Sequence, residues 1–135
     1  MSRYLDRAKQ LREDPSVHYN CAQAVLMAFS DEAGMSREQA FAVASNFGSG
    51  MMSGRSCGAI TGGLMVLGLY GVTDPETIGS YWRAFRDAHE GMTDCRDLLA
   101  ANARAMAPKK QHCDGMVYEA VKATEKILRE QGKIS

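Results

Sequence analysis

The chain has 135 residues, enough for one domain that buries about two-thirds of its unfolded surface without disulfide staples. Lys plus Arg equals Asp plus Glu at 16 each, and this zero net charge argues against a nucleic-acid or anionic-membrane binder, which needs a positive field. Apolar residues make up 45% and charged residues 24%, ordinary for a soluble domain, and the polar start "MSRYLDRAKQLRED" shows no secretory signal, so a reducing, cytoplasmic setting is expected.

The first predicted element is an amphipathic helix over about 2–12, with Tyr4, Leu5, Ala8 and Leu11 on one face. A second helix, about 20–31, carries Cys21, Ala24, Val25 and Ala28 on one face. "SREQ" supplies a capping box, Ser36 with Gln39, and opens a third helix over about 36–46. The Gly-rich stretch "GSGMMSG", 48–54, reads as an internal loop in which Met51 and Met52 give adaptable packing near a site. It lacks the lysine, the spacing and the preceding strand of a phosphate loop, so nucleotide binding is set aside.

The uncharged run "SCGAITGGLMVLGLYGVT", 56–73, contains five glycines and falls short of the about 20 predominantly apolar residues of a membrane span. It predicts a helix over 56–70 at the centre of a bundle. Glycine in a helix interior costs about 1 kcal/mol against alanine, so Gly62, Gly63 and Gly68 imply close packing by a neighbour. Gly58 suits access to the Cys57 sulfur. Asp74 and Pro75 open a helix over 75–90, with Tyr81, Trp82 and Phe85 as core. Thr93 or Asp94 opens another over 94–104. The last, 114–131, places Met116, Val117, Ala120, Val121, Thr124, Ile127 and Leu128 on one stripe. No strand period or hairpin turn interrupts this pattern. The expected fold is all-α: a compact single-domain helical bundle of six or seven helices over 1–135, with a central Gly-rich apolar helix.

The four cysteines are Cys21, Cys57, Cys95 and Cys113, separated by 36, 38 and 18 residues, with no CxxC pair. Zinc ribbons, thioredoxin motifs and ferredoxin cysteine runs are thereby removed. Asn20, Ser56 and Asp94 are good N-caps that precede three of the cysteines, and Cys113 lies one residue outside the last predicted helix. Helix starts stabilise thiolates, so all four are candidate reactive or ligating residues. The alternative is that they are small buried hydrophobes. His18, His89 and His112 lie three, six and one residues before a cysteine, as candidate ligands or bases.

"NCAQAVL" at 20–26, "FGSGM" at 47–51, "CGAITGGLMVLGL" at 57–69, "FRDAHEGMTDCRDLL" at 85–99 and "CDGMVYEAV" at 113–121 carry a resemblance. In this order they resemble the C_GCAxxG_C_C family, whose members are small bacterial and archaeal proteins described as redox-active, some of them labelled selenoproteins. Unlike the family's name, the chain has Ser56 before Cys57 and Gly58 directly after it. The resemblance implies reactive chemistry at the four cysteines and supplies no substrate.

The leading expectation is a thiol–disulfide type redox protein, a thiol-dependent oxidoreductase, with Cys57 as nucleophile and Cys21, Cys95 or Cys113 resolving it. Four cysteines allow three complete pairings, and all stay open at this point. The alternative is a module that binds a metal ion or an iron–sulfur cluster through Cys21, Cys57, Cys95 and Cys113. A third is an interaction protein with inert buried cysteines. The partner expected is a redox donor or acceptor, with no nucleic acid and no membrane span; homo-oligomerisation is left open.

Overall fold

A computed structural model describes residues 2–135, which form seven α-helices and, among the described residues, no β-strand. They are α1 (Arg3–Glu13), α2 (Cys21–Phe29), α3 (Arg37–Val43), α4 (Gly58–Leu69), α5 (Pro75–Ala88), α6 (Cys95–Arg104) and α7 (Lys109–Glu130). The expected all-α bundle is therefore the fold. Among the described residues no helix is long and apolar enough to cross a membrane.

Local chemistry sets the helix starts. Ser2 caps α1 by accepting the Leu5 N–H, and Asn20 with Gln23 closes a capping box on α2. Ser36 with Gln39 does the same for α3, and Asp74 with Pro75 opens α5. Burial then sets the packing. Every residue of α2 from Ala22 to Phe29 is buried, and α2 lies against α4 and α7. On α7 the stripe Met116, Val117, Ala120, Val121, Thr124 and Leu128 faces inward, as the 3.6-residue period requires. Tyr81 and Phe85 are core residues of α5, and Trp82 packs partly buried beside them.

Two glycines of α4 are contact points, as expected. A Cβ on Gly62 would stand 2.9 Å from the Ala22 carbonyl oxygen, and one on Gly63 would collide with the Tyr81 hydroxyl. Gly68 differs: a Cβ there meets nothing within 4 Å, so close packing does not account for it.

Two other expectations are corrected. The last helix starts at Lys109 behind Pro108, five residues earlier than the apolar stripe suggests, so Cys113 sits inside the second turn of α7. Its first turn faces a cavity and solvent, and therefore carries no hydrophobic signal. The 48–54 segment is also more specific than a loop. Ser49, Gly50, Met51 and Met52 all have positive φ, a left-handed turn closed by the Arg55 N–H donating to the Gly50 carbonyl at 3.0 Å. The left-handed conformation costs a non-glycine residue about 1–2 kcal/mol. Met52 is 72% exposed, so it is not a packing residue, while Met51 is 39% exposed.

Candidate functional site

The left-handed turn delivers the chain to an isolated antiparallel bridge between Ser56 and Asp94. Two hydrogen bonds make it: the Cys57 N–H donates to the Thr93 carbonyl at 2.9 Å, and the Cys95 N–H donates to the Arg55 carbonyl at 2.6 Å. The bridge holds the starts of α4 and α6 side by side. Gly50 is needed for it, because a Cβ there would stand 2.3 Å from the Arg55 carbonyl oxygen and 2.8 Å from the Cys95 Cβ. Ser56 is therefore bridge backbone, and Cys57 itself occupies the N-cap position of α4. Asp94 precedes α6 without a side-chain capping bond.

The start of α2 joins the same point through Gly58. A Cβ on Gly58 would lie 2.8 Å from the Phe47 carbonyl oxygen, 3.2 Å from the Ala22 nitrogen and 3.4 Å from the Cys21 Cβ. Its bare Cα lets α4 approach α2 until Cys57 and Cys21 share one pocket wall. Three helix starts thus converge, and the second turn of α7 closes the fourth side.

The result is one cavity of about 620 Å³ lined by Cys21, Cys57, Cys95 and Cys113 together. All four are free thiols. Residues 14–19 form a flap along its edge, and Leu98, Leu99 and Met116 supply apolar wall. His18 and His112 also line it, whereas His89 points elsewhere and pairs with Glu119 at 2.9 Å. Burial lowers the His112 pKa, which favours the neutral ring. Among the described residues, no group of three or more His, Cys, Asp or Glu side chains is gathered to hold a metal ion. The four cysteines share a cavity without forming a ready ligand cage.

Electrostatics separate the four thiols. Cys57 is only 6% exposed, and burial pushes its pKa up to about 11 against the pull of the Ala59 and Ile60 N–H groups. The low-pKa thiolate expected at Cys57 is thus corrected: the apolar enclosure of α4 outweighs the helix start. Burial also raises Cys95, with the Cys113 charge adding to it.

Cys21 and Cys113 behave as a pair. Cys113 is lowered to about 6, first by a hydrogen bond from Cys21 and then by the charges of Arg12 and Lys109. Cys21 is raised well above the ordinary thiol range, first by the same hydrogen bond and then by burial. Burial disfavours charge on the more enclosed Cys21, while Arg12 and Lys109 favour it on Cys113.

Arg12 anchors this corner. Its guanidinium donates to Asp114 Oδ1 at 2.7 Å and to the Tyr19 carbonyl at 2.8 Å, and its side chain is 6% exposed. It ties α1, the flap and α7 together while facing both sulfurs. Neither Arg12 nor Lys109 is visible as a candidate in the sequence. Pro108 is the one available signal: a proline suited to a helix start puts Lys109 one turn before Cys113, on its face.

A family model described as "Putative redox-active protein (C_GCAxxG_C_C)" matches residues 19–127, which include all four cysteines. No curated protein and no solved structure matches the chain. With most of its length matched, the chain belongs to the C_GCAxxG_C_C family.

Proposed function

We propose that the protein is a dithiol–disulfide redox protein in which Cys113 attacks and Cys21 resolves. The observation that supports it is one cavity lined by all four cysteines, in which Arg12 and Lys109 favour negative charge on Cys113 beside Cys21. The nucleophile in disulfide exchange is the thiolate, and its optimal pKa lies near the ambient pH.

The step balances as follows. The Cys113 thiolate attacks one sulfur of a disulfide RSSR, the S–S bond breaks, RS⁻ leaves, and a mixed disulfide forms on Cys113. That reaction removes the negative charge which held the proton on Cys21, while Arg12 remains beside it. Cys21 then ionises, attacks the Cys113 sulfur and expels the second RS⁻. The proton of Cys21 ends on one of the released thiolates. The two cysteines lose two electrons to form their disulfide, and RSSR gains two. The reverse reaction oxidises a dithiol by the same route.

The test is site-resolved mass spectrometry of anaerobically reduced protein after a brief exposure to 2-hydroxyethyl disulfide. The expected product is a Cys21–Cys113 disulfide. Cys21→Ser should accumulate the mixed disulfide on Cys113, and Cys113→Ser should remove the fast reaction. A mixed disulfide trapped first on Cys57 or Cys95 overturns the assignment. Iron with acid-labile sulfide in the anaerobic preparation overturns it in favour of the cluster reading of the same four cysteines.

A further inference from the structure

We propose that the cavity selects a small disulfide carrying a carboxylate, held by Lys109 while its sulfur faces Cys113. This rests on the reading of Cys113 and Cys21 as the reacting dithiol. Size is the first ground. A cavity of about 620 Å³ is of the kind that encloses a small organic molecule, and the reactive sulfur is inside it.

Charge is the second ground. Three cations line the cavity: Arg12, Lys109 and Lys110. Arg12 and Lys110 share Asp114, at 2.7 and 2.8 Å, and each also donates to a backbone carbonyl. Their charge and donors are committed to holding the fold. Lys109 makes no ion pair among the described residues and stands four residues before Cys113 on the same helix face. It lines the same cavity as Cys113 and Cys95, and its charge lowers the pKa of both. The one acid in the lining, Asp14, accepts from Ser16 and the Val17 N–H through Oδ1 at the 14–19 edge. Lys109 is thus the one lining cation without an ion pair among the described residues, and an anionic group finds its partner there. Leu98, Leu99 and Met116 offer apolar wall to the carbon chain between carboxylate and sulfur.

Three disulfides of nearly equal size make the test: 3,3′-dithiodipropionate (dianionic), 2-hydroxyethyl disulfide (neutral) and cystamine (dicationic). The rate of Cys21–Cys113 disulfide formation with each is divided by its rate with free 2-mercaptoethanol, which removes differences in leaving-group chemistry. The expected normalised order is dianionic over neutral by about tenfold, with the dicationic slowest, and the spread shrinks as salt rises. Lys109→Gln should bring the dianionic rate down to the neutral one, and Lys109→Arg should keep the preference. Lys109→Gln also slows all three through the Cys113 thiolate, so the ratio, not the absolute rate, carries the result. Equal normalised rates across the three, or a preference that survives Lys109→Gln, overturn the selectivity while leaving the dithiol intact. If none of the three forms the Cys21–Cys113 disulfide, both readings fall.

Discussion

Cys21→Ala isolates what the neighbouring thiol does for Cys113. With a pKa of about 6, Cys113 is half ionised at pH 6, where an ordinary thiol of pKa about 8.5 is ionised to less than about 1%. The hydrogen bond from Cys21 is the largest cause of that depression, and a thiol is a weak donor. A hydrogen bond to a charged group at the weak end is worth about 1.5 kcal/mol, close to one pKa unit. Cys21→Ala should therefore move Cys113 up by about one unit or more. At pH 6 the thiolate fraction falls about fivefold. A more basic thiolate is also a better nucleophile, by about threefold per unit. The two effects oppose. The variant should form its mixed disulfide about twofold more slowly than wild type at pH 6 and about threefold faster at pH 9. The assay is the initial rate of mixed-disulfide formation on Cys113 with 2-hydroxyethyl disulfide across pH, resolved by mass spectrometry. An unchanged pH profile in Cys21→Ala refutes the role given to the Cys21 contact. A wild-type midpoint at Cys113 above about 8 refutes the thiolate itself.

Three further outcomes follow from burial and packing. Cys57 should be alkylated after Cys95 and Cys113, with a midpoint near 11 that shifts down to the ordinary thiol range on unfolding in urea. Its folded pKa is raised, so its contribution to stability is complete below the unfolded pKa and is lost as pH climbs from about 8.5 to about 11, on the order of 3 kcal/mol. Cys57→Ala should flatten that alkaline loss in denaturant titrations. Gly62→Ala should lower stability by about 1–3 kcal/mol, because its methyl presses on the Ala22 carbonyl, while Gly68→Ala should gain about 0.5–1 kcal/mol from helix propensity with open space around it. Thermal melts of the two variants separate these signs.

The helices were legible because their signals are local. The 3.6-residue apolar stripe of α7, the Asn20 and Ser36 capping boxes and Asp74-Pro75 all act within a turn or two of chain. The start of α7 was not, since its first turn faces the cavity and so carries no apolar residue to mark it. The left-handed turn at 49–52 was equally hidden: nothing in Ser49, Met51 and Met52 favours positive φ, and the bridge at Ser56 and Asp94 accompanies it from outside the segment.

At the site, residue type and order in the sequence determined that four cysteines and their Gly58 neighbour were the candidates, and the family they belong to. Only the tertiary structure brought the four to one cavity and ranked them. A thiol's pKa balances the desolvation of its charge against the charges around it, and both depend on residues distant in the chain. Cys57 has the helix start and the small neighbours, yet the packed core beneath it holds its proton on. Cys113 has a single local signal, Lys109 one turn earlier on α7. It becomes the thiolate because Arg12, from a helix a hundred residues earlier, and Cys21, from the next, are folded against it.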